Sequence, residues 1–279
     1  MFVSGCLIAC SSRQPAPQAP KAAAEPPAKE AAAPPPPPPP PPAPAKQPNQ
    51  AAKDETPSAK DNPAPGLREI FPHIRADIAA RLIEFDGTVP IDCHDPRTPR
   101  VYLEVTVCTP DTKEHETLVV TQAKPSHVHA ALLAAGFNPG SPGSWTWDEK
   151  KLTAHPPKGD ALEVTIAYKD KSGTEIESPA ISWIVNADNG ARFGTGKTAG
   201  AFVFAGSGMV KRQGREWYDA DGSGLLIGLC TFGSESVAWN DVISPDSEVE
   251  EPEWIADSNL VPEFGTPVVV RLRPAQRTN

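Results

Sequence analysis

The sequence predicts an α+β domain dominated by antiparallel β-sheet, a sandwich or partly open barrel with one main helix near residues 125–135. Three observations predict it. Apolar residues recur with period two in eight short runs, turn dipeptides separate those runs, and a single segment carries the period and end signals of a helix.

In chain order the strand candidates are Arg81–Phe85, Val101–Cys108, Thr117–Thr121, Ala161–Tyr168, Ala180–Val185, Ala201–Ala205, Leu225–Cys230 and Pro267–Leu272. β-Branched and aromatic residues crowd them because such side chains pack well on a pleated, half-buried surface. Asp86-Gly87, Ser172-Gly173, Asp188-Asn189-Gly190 and Asp221-Gly222 read as turns, since glycine and asparagine accept the positive φ of tight turns. The helix is expected over Pro125–Ala135. Proline suits a first turn, Gly136 suits the C-terminal cap, and Val128, Ala131, Leu132 and Ala135 share one apolar face.

Three regions divide the chain: 1–10, a lipoprotein signal ending in a lipidated cysteine; 11–65, a proline- and alanine-rich disordered tether; and 66–279, one globular domain. Most of the low complexity, including the unbroken run Pro34 to Pro42, falls in 11–65. Such a segment lacks the apolar side chains that would offset the entropy of ordering it, and its prolines favour extended polyproline II. Nine prolines at roughly 3.1 Å each give a stiff spacer of about 28 Å.

Two lipobox-like tetrapeptides overlap at the start, Val3-Ser4-Gly5-Cys6 and Leu7-Ile8-Ala9-Cys10. Cys10 is the expected lipidation site, because polar Ser11-Ser12-Arg13 follows it at once, whereas Leu7-Ile8-Ala9 follows Cys6. The signal has no basic residue and is short, which points to a start codon placed too far downstream. The expected location is the cell envelope, membrane-anchored on the extracytoplasmic face. No other run approaches the roughly 18 apolar residues of a membrane span.

Removing the six basic and five acidic residues of 1–65 from the 26 and 35 of the whole chain leaves 20 and 30, a net −10 on the domain. Phosphate backbones and anionic lipid would repel such a body. Nucleic-acid binding is therefore excluded as an expectation, and contact with the membrane is expected through the lipid anchor only.

Several motifs fail on inspection. Gly194-Thr-Gly196-Lys197-Thr198 would be a phosphate-binding loop only with glycine at position 191, which is Ala191. Ala205-Gly206-Ser207-Gly208-Met209 lacks the glycine spacing of a nucleophile elbow. Asp219-Ala-Asp221-Gly-Ser223-Gly224 begins like a calcium loop, but Cys230 stands where the bidentate glutamate belongs, so a hairpin turn is expected.

The densest polar cluster is Cys108-Thr-Pro-Asp111-Thr-Lys113-Glu114-His115-Glu116, followed by Ser126-His127-Val128-His129 on the helix. A thiol, imidazoles and carboxylates are the inventory of a zinc or other divalent-metal site, with Cys108, His115 and His129 the candidate ligands, although the spacing matches no named metal motif. The same region supplies the candidate ligand-binding residues Lys113, Glu114, His115, Glu116 and His129. Cys93, Cys108 and Cys230 remain after processing at Cys10 and allow one disulfide at most; Cys93–Cys108 would close a plausible loop, and Cys230 reads as core. Trp145 and Trp147 would share a face if extended, a platform for stacking sugar rings. The acidic stretch Asp246, Glu248, Glu250, Glu251, Glu253 reads as a solvated loop.

Cys108-Thr-Pro-x-Thr-Lys-Glu-His115-Glu, Val128-His129-Ala-Ala-Leu-Leu-Ala-Ala-Gly136-x-x-Pro-Gly140, Phe202-Val-Phe-Ala-Gly206-Ser-Gly208 and Tyr218-x-Ala-Asp-Gly222 together resemble the YdjY-type domain. That domain occurs in bacterial envelope lipoproteins, often behind proline-rich tethers, and the resemblance spans most of 66–273. It implies no settled activity. The iron–sulfur label attached to the family does not suit this chain, which has no Cys-x-x-Cys and too few domain cysteines for four-cysteine ligation. The resemblance draws interest to Cys108, Lys113, Glu114, His115, Glu116 and His129.

With no complete catalytic motif, the expected function is a non-enzymatic binding or structural domain on a lipid anchor, with a cell-wall or other envelope partner. Its rivals are a metal-binding protein or metal-dependent enzyme using His115, His129 and Cys108, and a glycan or cell-wall binding module using Trp145 and Trp147.

Overall fold

The computed structural model describes residues 66–148 and 151–276. The signal, Cys6, Cys10 and the tether lie outside the described residues.

Eight strands form the body: β1 (Leu82–Thr88), β2 (Val105–Cys108), β3 (Thr117–Val120), β4 (Ala161–Lys169), β5 (Phe202–Val203), β6 (Leu225–Gly228), β7 (Val237–Trp239) and β8 (Pro267–Pro274). Their hydrogen-bonded order is β1-β8-β4-β5-β7-β6-β2-β3, and β3 returns to β1 through the pair Thr88↔Val120. The sheet is thus a closed barrel. Pairings β6–β7 and β2–β3 are parallel and the rest antiparallel. Closure depends on Gly87, where a Cβ would meet the Val119 side chain at 2.4 Å and the Val120 carbonyl oxygen at 2.9 Å. Asp86-Gly87, expected as a turn, therefore lies inside β1: glycine serves close approach there instead of chain reversal.

Period two sorts the barrel walls. On β8, Val268, Val270 and Leu272 are buried in the core, alternating with Val269, Arg271 and Arg273. Ile83 and Phe85 of β1 and Leu162, Val164 and Ile166 of β4 meet them inside. Outside, Arg271 joins Glu84, Glu175 and Glu177, and Arg75 also reaches Glu84. This charged ladder links the hairpin strand Ile74–Asp77, β1, β8 and the strand Glu175–Pro179 on the edge of β4.

Helix α1 (Pro125–Ala134) matches its expectation. Gly136 at φ 77° lets its own N–H donate to the Leu133 carbonyl and the Phe137 N–H donate to the Leu132 carbonyl, a Schellman ending. Arg81 completes the cap with hydrogen bonds of 3.0 Å to the carbonyls of Ala135 and Gly136. Val128, Ala131 and Leu132 enter the barrel core, each large side chain worth roughly 1.5–3 kcal/mol on full burial.

Two expectations change. Ala180–Trp183 is a turn of 3-10 helix and only Ile184–Asn186 extends, pairing with Trp254–Ala256 outside the barrel. A short apolar run cannot declare its period, and here Pro179 precedes the turn. Asp219–Ser223 is a one-turn helix, α2, stopped by Gly224 at φ 74°, and not a hairpin turn. Its two aspartates lie in the first turn, where the helix dipole favours them.

Candidate functional site

A cleft of about 460 Å³ opens beside the start of β2, lined by Tyr102, Leu103, Glu104, His115, Glu116 and Cys230. Ile243, Pro245, Glu250, Glu251, Glu253 and Trp254 line it as well. Backbone pairing fixes its floor. The Leu103 N–H donates to the Trp254 carbonyl at 2.8 Å, and the Glu104 N–H donates to the Glu116 carbonyl at 3.0 Å.

Lys113 organises the rim. Its Nζ donates to Glu104 Oε2 at 2.5 Å and to Glu116 Oε2 at 2.9 Å, and lies 4.9 Å from the centre of the Phe232 ring. Burial pushes the Glu104 carboxyl above its ordinary range, against the pull of Lys113. Burial acts on Glu116 too, but hydrogen bonds from Lys113 and with Glu104 hold it below that range. Burial opposes protonation of Lys113, yet its two carboxylate partners raise its pKa. The arrangement is a compensated trio, one cation for two carboxylates.

The polar cluster read from the sequence splits on folding. His115 and Glu116 line the cleft, whereas Glu114 turns away and accepts the N–H groups of Asp111 and Thr112, tying the loop. His115 is 73% exposed, its Nε2 3.5 Å from Glu116 Oε1. His129 sits elsewhere. Its Nδ1 meets the Tyr218 hydroxyl at 2.9 Å, and its ring packs edge-on against Phe204 and Tyr218. Tyr218 in turn donates to the Gly206 carbonyl and pairs with Ser236 Oγ at 2.9 Å. Burial lowers the His129 pKa and pushes that of Tyr218 up to about 12. These matched positions tie α1 to the Phe-Ala-Gly-Ser-Gly segment.

A family model for the YdjY domain matches residues 74–273. The chain belongs to the YdjY domain family. The matched span holds all eight barrel strands, both helices and the cleft. No curated protein matches the chain, and no solved structure matches it.

Within the YdjY domain, Cys108, His115 and His129 do not come together as a metal site. Cys108 is fully buried against Val105 and Leu225, His115 projects into solvent, and His129 is engaged by Tyr218. Among the described residues no three His, Cys, Asp or Glu side chains gather closely enough to hold a metal ion. Cys93, Cys108 and Cys230 are all free thiols, each with its pKa raised chiefly by burial, which suppresses the reactive thiolate.

Sequence reasoning missed Glu104, and did not place the acidic loop at the cleft. Glu104 left one signal, a lone acid within the apolar run Val101–Cys108. The stretch Glu250–Glu253 is an exposed loop, as its charge suggested, and it also lines the cleft because Trp254 pairs back onto the chain beside Leu103. Trp145 and Trp147 do share a face, on the hairpin Ser144–Asp148/Lys151–His155, opposite Ala154 and Leu152. Trp147 is 72% exposed.

Proposed function

We propose that this is a lipid-anchored cell-envelope protein whose barrel is a non-enzymatic binding domain, with the acidic cleft as its ligand seat. The observation that carries the reading is the meeting of Glu104 and Glu116 on Lys113 in a cleft that Glu250, Glu251 and Glu253 also line. Five carboxylates around an apolar floor of Leu103, Ile243 and Trp254 suit a cationic ligand with an apolar part, such as a lysine-bearing peptide of an envelope partner. The location rests on the lipobox at Cys10 and the proline-rich spacer.

Titration with a short lysine-rich peptide tests the cleft. Affinity should fall at least about tenfold in Glu250→Gln/Glu253→Gln and hold in Glu163→Gln, which lies on β4 away from the cleft. Equal affinity in all three would sink the reading. Clickable palmitate tests the anchor: label should appear on the wild type and vanish in Cys10→Ala.

A second reading has its own observation. The exposed Trp147, on one face with Trp145 and Leu152, is the kind of platform on which sugar rings stack. Peptidoglycan pull-down that is unchanged in a Trp145→Ala/Trp147→Ala variant rules it out.

A further inference from the structure

Glu104 is held in place by its backbone. Its N–H donates to the Glu116 carbonyl at 3.0 Å, and its own carbonyl accepts the N–H groups of Leu229 and Cys230 at 3.1 and 2.8 Å. Two other segments therefore fix where its carboxyl begins. The Glu104 and Glu116 side chains meet on the same Lys113 nitrogen and cannot drift apart without losing it. They are 21% and 27% exposed, open enough to meet a ligand and covered enough to feel the loss of water.

Fully ionised, the trio is one positive charge short. Among the described residues no other lysine or arginine forms an ion pair with Glu104 or Glu116. His115 Nε2, 3.5 Å from Glu116 Oε1, counts as a cation only when protonated. The other charged groups lining the cleft are Arg100, Glu250, Glu251 and Glu253, which together deepen the deficit. The Cys230 thiol beside Glu104 stays protonated, because burial raises its pKa.

We propose that a proton fills this deficit in the free protein and that a cationic ligand takes its place, so that binding exchanges a cation for a proton. This exchange rests on the proposed ligand seat and adds how that seat is regulated. The proton sits on Glu104, leaves for solvent as the ligand's ammonium or guanidinium pairs with the carboxylate, and returns when the ligand departs. Burial already raises the Glu104 pKa, whereas on Glu116 burial is outweighed by hydrogen bonds from Lys113 and with Glu104. A bound cation favours the ionised form of Glu104, so the complex holds fewer protons than the free protein. Affinity therefore falls as pH drops toward the ordinary glutamate range and levels off above the free-protein pKa of Glu104.

The test is titration calorimetry of the full-length chain with an acetylated, amidated oligolysine, whose own charge is constant between about pH 5 and about pH 8. Near pH 6, two buffers of different ionisation enthalpy should give different heats, reporting release of up to about one proton per peptide. Affinity should fall at least about threefold between about pH 7 and about pH 5.5. Release should be lost in Glu104→Gln, whose amide oxygen can still accept from Lys113, and should persist in His115→Gln. Unchanged melting temperatures verify that both variants fold, and the wild-type heats stand as a test without them. Identical heats in the two buffers, release that survives in Glu104→Gln, or release lost in His115→Gln overturns the exchange and leaves the seat standing. The seat itself fails separately, when affinity ignores Glu250→Gln/Glu253→Gln, and the exchange falls with it.

Discussion

The Tyr218 hydroxyl stands 2.9 Å from His129 Nδ1, joining α1 to a hairpin 89 residues away. The same oxygen contacts the Gly206 carbonyl and Ser236 Oγ, so one atom serves three segments. Tyr218→Phe removes it and leaves those groups without their partner. Stability in urea should drop by about 1–3 kcal/mol, with the slope of the transition unchanged.

His129 also makes the fold sensitive to acid. Burial holds its folded pKa below the unfolded value, so the unfolded chain binds the proton first. Its contribution is complete above the unfolded pKa and is lost as pH falls through the folded one. Measured against His129→Gln, the wild type should lose relative stability between about pH 8 and about pH 5. A difference that stays flat across that range would show that His129 does not titrate in this sense.

Lys113→Met should leave Glu104 and Glu116 facing each other without their shared cation. Near neutral pH the loss should be about 1–2 kcal/mol, since the trio is only partly buried. Without Lys113, burial and the repulsion between the two carboxyls should raise both above their unfolded values. The deficit should therefore shrink between about pH 7 and about pH 4, read from denaturation midpoints.

On the barrel wall a carboxyl is held below its ordinary range instead. Hydrogen bonds from Arg273, then Thr165 and Arg271, overcome burial and bring Glu177 down to about 2. Its stabilisation is present above the ordinary glutamate range and is lost as pH falls from about 4.5 toward 2. Solvent screening limits it to roughly 1 kcal/mol. The gap between wild type and Glu177→Gln should close over that range.

Two glycines of nearly equal φ should separate backbone strain from crowding. Gly136 at 77° has open space around a built Cβ, whereas at Gly224, 74°, that atom would meet Thr112 at 2.4 Å and Thr109 at 2.6 Å. Gly136→Ala should cost about 1 kcal/mol and Gly224→Ala at least about 2 kcal/mol, both by urea denaturation.

Local signals carried much of the fold. Seven of the eight barrel strands overlap period-two runs in the sequence, and the Pro125–Gly136 signals set both ends of α1. β7, Val237–Trp239, follows the polar stretch Gly233-Ser-Glu-Ser236 and lies in none of those runs. The exposed hairpins of Trp147 and Trp217 escaped because strands outside the core need no apolar alternation. Half the site was legible as well, since His115 and Glu116 stood in the densest polar cluster.

The sequence by itself determined the division of charge, the helix and its caps, the Cys230 core position and the family. Those depend on composition and on neighbours a few residues apart. Only the tertiary structure decided that Glu104 joins Lys113, that Glu250–Glu253 faces it, and that His129 belongs to Tyr218. The first of these meetings spans nine residues, and the others join segments far apart in the chain that only packing brings together. Sequence patterning acts on neighbours a few residues apart and cannot specify which segments pack together.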